Sequence, residues 1–303
     1  MQMGAKKIEA NKQTATQDNA PAYIRFRWWK EVWRRLKKNR MAIVSLLILL
    51  VLLIWAILPQ VFAPYGYDDQ DMSRALQSPS WDFPLGTDQF GRDVFSRIVY
   101  GARISLEVGL IVVSISLVAG GALGVIAAYY KKVDNLIMRF MDLFMAVPGT
   151  LLAIVIAATL GPGMLNLMVA VAISSIPKYA RVVRSACLTS MHNEYIEAAT
   201  SLGASNMRII FKHVLPNSLS PIIVQSTLSI ADAIIMAASL SFIGLGVQPP
   251  IPEWGAMLSG SQEYLTSYPY LLVGPAIAIL LLALSFNILG DGLRDCLDPK
   301  LKT

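Results

Sequence analysis

Charge is scarce in this chain. Only 15% of its 303 residues are Asp, Glu, Lys or Arg, against about 25% in an average soluble domain. An ordinary soluble enzyme is a poor fit. Cysteine is rarer still: Cys187 and Cys296 stand alone, without the CxxC spacing of a metal or redox site and without a disulfide framework. The two histidines, His192 and His213, lie 21 residues apart and lack the companion spacing of a zinc site. There is no G-x-x-x-x-G-K-[ST] loop to cradle phosphates, no G-x-S-x-G elbow and no H-E-x-x-H helix. The expectation is a protein that is not an enzyme and holds neither metal nor cofactor.

What the chain has is apolar length. Its hydrophobic fraction is 55% and its mean hydropathy is +0.53. That rules out intrinsic disorder, whose signature is low hydrophobicity. The apolar residues come in long blocks, so the class is an all-α polytopic membrane protein. The net charge of +6 would suit nucleic acid, but most Lys and Arg sit just outside the apolar blocks, where membrane topology accounts for them. Nucleic-acid binding is not expected.

About 20 apolar residues cross a hydrocarbon core about 30 Å thick at 1.5 Å per residue. Residues 41–58, 108–130, 136–160, 219–243 and 270–289 meet that measure. The first begins after a long polar lead and is too long for a signal-peptide core, so no signal peptide is expected. In the second, Gly120, Gly121 and Gly124 leave room for close helix contact. Pro148-Gly149 should bend the third. Arg139 and Asp142 could pair on one face of it. Residues 164–176 make a short fourth span before Pro177, extended through Ala180 if Lys178 snorkels. Parity supports six spans. Arg25, Arg27, Lys30, Arg34, Arg35, Lys37, Lys38 and Arg40 precede the first span, which puts the N-terminus inside. Lys178, Arg181, Arg184, Arg208 and Lys212 mark a basic inside segment over 178–216, whereas 244–267 has no Lys or Arg. Arg294, Lys300 and Lys302 put the C-terminus inside as well. Trp28, Trp29 and Trp33 among the leading basic residues suggest an interfacial helix on membrane lipid; residues 1–20 are expected to be disordered.

Two features stand out from this frame. Asp232 lies inside the fifth span, where a charge costs at least ~2.5 kcal/mol and is a functional candidate by default. It either lines a path, where it would attract a positive amino terminus, or serves a structural pair. Glu107 reads as interfacial. The second feature is the segment at 190–216. Asn193 is a plausible cap for a helix with Glu194 and Glu197 in its first turn. Gly203 suits a left-handed C′ position. Ser205 could cap a second helix with Met207, Ile210, Phe211 and Val214 at helical spacing, ended by Pro216. Small residues beside a glycine corner let another surface approach, as in a helix docked in a groove. The plainer reading is an amphipathic loop on the membrane surface.

Glu197-Ala198-Ala199, three residues, Gly203, nine residues, His213, one residue, Leu215-Pro216 resembles the EAA signature of permease subunits in binding-protein-dependent ABC importers. His213 stands where many members have Ile. The stretch Leu85-Gly86-Thr87-Asp88-Gln89-Phe90-Gly91-Arg92-Asp93, followed by Gly101-Ala102-Arg103, is similar to the region before the core in the C-type permease of oligopeptide, dipeptide and nickel importers. The resemblance implies a type I importer permease fold in a prokaryotic cell membrane. It also implies a heterodimer with a second related permease, two cytoplasmic ATPases and an extracytoplasmic peptide-binding protein. By the same resemblance Glu197, Ala198, Ala199, Leu202, Gly203, His213, Leu215 and Pro216 belong to the loop that couples to the ATPases. The implied organisation is a tail at 1–40, a first span and outer loop at 41–98, and a core at 99–303. The cargo expected is peptide, oligopeptides over dipeptides, with a nickel or metal chelate as the alternative. An ion-coupled secondary transporter and a membrane hydrolase are the competing classes.

Overall fold

The computed structural model describes residues 32–297. The leading residues Arg25, Arg27, Trp28, Trp29 and Lys30 and the trailing Lys300 and Lys302 lie outside them. The described chain is almost wholly helical and contains no β-strand, only an isolated bridge between Thr87 and Asp93. Its principal helices are α1 (Arg40–Ile57), α2 (Val94–Tyr129), α3 (Lys131–Met145), α4 (Gly149–Leu160), α5 (Met164–Met191), α6 (Glu194–Ser201), α7 (Leu219–Phe242), α8 (Trp254–Gly260) and α9 (Tyr270–Leu297). Four of them, α1, α2, α7 and α9, are long and apolar enough to cross a membrane, and the bent pair α3–α4 makes a fifth. They present many apolar side chains outward, among them Leu47, Val118 and Leu280, as lipid contact requires.

Helix α5 falls short of that apolar measure, and a sixth pass through it is consistent with the fold. It starts beside Gly246, whose carbonyl accepts from Gly163 N at 3.0 Å. It ends beside the start of α7, where the Ser190 and Ser218 hydroxyls meet at 2.9 Å. Its lower apolarity comes from Lys178, Arg181 and Arg184. The expected end near Pro177 is corrected: the helix runs through the proline to Met191. The basic residues assigned to a loop are therefore helical. Likewise α2 starts at Val94, well before the apolar block at 108. Its 36 residues make about 54 Å of helix at 1.5 Å each.

Packing follows the small residues. A Cβ on Gly120 would lie 2.6 Å from the Ile176 carbonyl oxygen, and one on Gly124 2.6 Å from that of Ala180. These glycines let α2 lie directly on the α5 backbone, the most extensive pairing in the fold. The Ser116 hydroxyl donates across it to Ala172 O at 3.0 Å. Gly121 faces no such contact. Gly109 gives α7 the same close approach, against Ile234. Gly292 of α9 lies against Ala42 of α1, so the described ends of the chain share the end of the bundle that carries α6. The expected bend at Pro148-Gly149 is a break of 85°. The Arg139–Asp142 pair gives way to a contact between helices: Asp142 accepts from Arg181 at 2.5 Å, because its side chain faces α5.

The opposite end is closed by a folded cap. Gly86 and Gly91 both take φ of +73°, and a Cβ on Gly91 would overlap Asp71 O. The Thr87 hydroxyl bonds Arg74 O and accepts from Gln77 N. Asp93 caps α2 through Ser96 N at 2.8 Å. Trp254, fully buried, donates to Ile98 O at 3.0 Å over Gly101.

Candidate functional site

Helix α6 ends at a glycine corner. Gly203 has φ +78°, and Ala204 N reaches back to Ala199 O at 3.1 Å. That six-to-one closure needs a left-handed residue. A Cβ at Gly203 would meet nothing within 4 Å, so glycine is required there by backbone conformation, not by space. The sequence-based capping expectations fare less well. Neither Asn193 nor Ser205 makes a side-chain cap bond; the Asn193 amide donates to Ser190 O instead. Pro216 does not end a helix but stands near the start of a short one, Leu215–Asn217, that leads into α7.

The second helical piece is irregular, with an α turn over Asn206–Ile209 and a π turn over Ile210–Val214. Its apolar residues divide. Ile209, Ile210 and Val214 are buried, whereas Met207 and Phe211 are 62% and 60% exposed. The expected single apolar face is corrected accordingly. Ile196, Ile209 and Val214 pack with Ala128, Val183, Cys187 and Ile222 in a small second core. The Tyr129 hydroxyl donates to Asn206 Oδ1 at 2.8 Å. The segment is therefore clamped to α2, α5 and α7. Its outer surface carries Glu197, Ala198, Leu202, Gly203, Met207 and Phe211, with Leu202 at 88% exposure. Ala199, His213 and Leu215 are half-buried and Pro216 is exposed. His213 lies against the Tyr195 ring, centroids 6.4 Å apart. Leu202, Met207 and Phe211 thus form an exposed apolar edge on a segment seated by its buried side.

Asp232 lies elsewhere, in the middle of α7. Its carboxylate accepts from Lys178 Nζ at 2.8 Å, so Lys178 does not snorkel. The pair lines an open cavity of about 560 Å³ with the α3–α4 break, Ser174, Ser175 and Ser239. Glu107 pairs with Arg103 one turn earlier on α2, at 3.0 Å.

Sequence reasoning missed the buried charges of the cap. Asp88 accepts from Arg92 N and Nε at 3.0 and 2.7 Å, and Arg97 Nε lies 3.7 Å from the same carboxylate. Arg97 also donates to Tyr67 O at 2.9 Å. Glu253 is 3% exposed and caps α8 through Gly255 N and Ala256 N. Burial raises its pKa above the usual carboxylate value, while the backbone donors oppose the shift. The Asp-Gln-Phe-Gly-Arg-Asp spacing was the available signal, since a carboxylate four residues before an arginine closes a tight turn.

Long apolar helices, a broken span and an exposed elbow define a polytopic membrane protein of the permease type. Residues 120–303 match the model of the binding-protein-dependent transport system inner membrane component, and residues 27–79 match the N-terminal TM domain of oligopeptide transport permease C. The chain belongs to this family of inner-membrane transport components. It is 48% identical, over 91% of each chain, to the dipeptide transport system permease protein DppC of Alkalihalophilus pseudofirmus. It is 47% identical, over 91% of itself and 92% of the relative, to the glutathione transport system permease protein GsiD of Pectobacterium atrosepticum. It is 45% identical to the di/tripeptide transport system permease protein DppC of Pseudomonas aeruginosa, over 90% of itself and 92% of the relative. A solved structure of the MetNI methionine ABC transporter, described as inward facing, shares the fold: TM-score 0.56, 19% identity, covering 66% of this chain and 96% of that one.

Proposed function

We propose that this chain is one of two permease halves of an ATP-driven peptide importer in a prokaryotic cell membrane, and that its power stroke enters through the elbow at 190–216. The observation that carries the reading is that elbow. Leu202, Met207 and Phe211 are held outward by a buried clamp, beside a glycine corner with the EAA spacing. In this reading Glu197, Ala198, Ala199, Leu202 and Gly203 fit a groove of a cytoplasmic ATPase, and His213, Leu215 and Pro216 set the return into α7. Two such ATPases, a second homologous permease and an extracytoplasmic peptide-binding protein complete the complex. The chain itself performs no catalysis. Both termini are cytoplasmic, with a tail at 1–40, a first span and outer loop at 41–98 and the core at 99–303. The basic residues before α1 and the common end shared by α1, α6 and α9 support that orientation.

The cargo is peptide. The names of the full-length relatives favour di- and tripeptides, while the oligopeptide name rests on the match at residues 27–79. The test is uptake by the assembled complex in vesicles with labelled dipeptide, tripeptide, pentapeptide and a nickel chelate. ATP-dependent, ionophore-resistant uptake of short peptides is expected. Uptake of the chelate alone, or uptake driven by an ion gradient without ATP, would overturn the reading. Gly203→Val and Glu197→Lys should abolish uptake while the protein stays in the membrane, and normal uptake by both would remove the elbow from the mechanism.

A further inference from the structure

Lys178 and Asp232 form an ion pair in an unusual place. Asp232 is the thirteenth residue after the start of a 24-residue apolar helix, which puts it near the middle of the bilayer. Yet Lys178 and Asp232 side chains are 49% and 58% exposed. Charges at that depth do not face lipid; they face protein or water. The surface around them is mixed, with Phe144, Val147, Ile235 and Met236 beside four hydroxyls. Ser174, Ser175 and Ser239 and Thr150 line the same cavity, opposite Pro148 at the α3–α4 break. No polar residue of this kind lines the other large cavity, which is walled by Leu47, Val51, Trp55, Phe95 and Ile277. One face of the bundle thus carries a partly polar, water-compatible track, and the Lys178–Asp232 pair projects from it.

We propose that this pair is a transient docking site for the two termini of a zwitterionic short peptide, the ammonium of the peptide replacing Lys178 at Asp232 and the carboxylate of the peptide replacing Asp232 at Lys178. This deepens the peptide-importer reading and rests on it. A half-exposed pair keeps its charges hydrated, so separating its members costs little. The exchange raises the number of ion pairs from one to two: the internal Lys178–Asp232 pair is given up and two pairs are formed with cargo. The track then stays neutral when empty, which disfavours free inorganic ions, and offers complementary charge when a zwitterion enters. The other polar groups of the cavity are uncharged, Ser174 and Ser175 on α5, Ser239 on α7 and Thr150 on α4, and the next charge along α5, Arg181, and its partner Asp142 neutralise one another.

The test uses the whole complex in proteoliposomes and reads three quantities: assembly, ATP hydrolysis stimulated by the loaded binding protein, and dipeptide uptake. Asp232→Asn and Lys178→Gln should assemble and hydrolyse ATP normally but lose uptake by at least about tenfold, the effect of one modest charge contact. Exchanging the two charges, Lys178→Asp with Asp232→Lys, should re-form the pair, keep assembly normal and leave uptake impaired. A pair that serves only structure would regain full uptake in that exchange, and this result overturns the proposal, as does normal uptake by both single variants. A second measurement is independent of the pair. Ser239→Cys in a Cys296→Ser background should react with a membrane-impermeant maleimide in nanodiscs, and millimolar dipeptide should slow the reaction. Absence of labelling, or labelling that dipeptide leaves unchanged, also overturns it. If the wild-type complex carries no peptide at all, the peptide reading fails first, and maleimide labelling of Ser239→Cys without peptide still reports whether the track is aqueous.

Discussion

Arg184 grips Asp134 with two parallel hydrogen bonds, Nε to Oδ1 at 2.6 Å and Nη2 to Oδ2 at 2.5 Å. One turn earlier on α5, Arg181 holds Asp142, and a turn before that Lys178 holds Asp232. Spacing of three residues keeps all three cations on neighbouring positions of one helix face. Two of their partners lie on α3, so the ladder fixes the first arm of the broken span against α5. The Arg184 pair is the better shielded, 29% and 19% exposed against 51% and 60% for Arg181 and Asp142. Two-pronged geometry and partial burial make it the stronger contact, and solvent screening weakens the other. Asp134→Ala should therefore cost about 1 kcal/mol more than Asp142→Ala. Thermal unfolding of the purified protein in detergent checks this; equal losses would mean that the ladder contributes only through its total charge.

The glycines of α2 give a sharper contrast. Gly120→Ala places a Cβ 2.6 Å from Ile176 O and 2.7 Å from Tyr179 Cβ, and neither backbone nor Cβ can move aside. Gly121→Ala meets nothing closer than 3.8 Å. Overpacking at the first site should cost about 1–3 kcal/mol. At the second, replacing glycine inside a helix should leave stability equal or raise it by up to about 1 kcal/mol. Unfolding temperatures of the two variants decide the matter, and a destabilised Gly121→Ala would show that this face meets a partner in the membrane.

These cases show what a linear reading could reach. Five apolar blocks were legible because length and hydropathy are local properties. The break at Pro148 was legible because proline acts on its own helix. The pairing of Asp142 was not. Arg139 is its neighbour in sequence, but Arg181 is its neighbour in space, and only the fold decides between them. Met207 and Phe211 share helical spacing with Ile210 and Val214, yet the seam the bundle offers is narrower than that stripe and takes only Ile209, Ile210 and Val214. The residues at 85–93 were readable as turns, but nothing local says that a turn will be buried with Asp88 and Arg92 inside it. Exposed residues proposed to meet a partner, such as Leu202, were legible only through the motif that contains them.

Glu253 offers a pH test. Burial raises its folded pKa above the ordinary 4.5, with Gly255 and Ala256 N–H bonds pulling the other way. An acid with a raised folded pKa binds its proton more tightly in the fold than in the unfolded chain. Its contribution to stability is thus fully present below the unfolded value and is lost as pH rises through the folded value. Glu253→Gln removes that dependence and keeps an oxygen for the cap. The difference in unfolding temperature, wild type minus Glu253→Gln, should fall as pH rises from below 4.5 toward neutrality. A difference that rises over that range would mean that the cap donors outweigh burial.

Gly203 separates two ways in which a coupling elbow can fail. Its φ of +78° is costly for residues with a Cβ, by about 1–2 kcal/mol, and least so for Asn. The space around it is open. If backbone conformation alone governs the site, uptake by the assembled complex should follow Gly203 first, then Gly203→Asn, then Gly203→Ala, with Gly203→Val last. Side-chain bulk would then matter only through strain. If instead an ATPase surface closes on the corner, the Asn variant should be as inactive as the Val variant, and Gly203→Ala, which adds the fewest atoms, should retain the most. Measuring ATP hydrolysis alongside uptake distinguishes loss of docking, which lowers both, from loss of transmission, which lowers uptake alone.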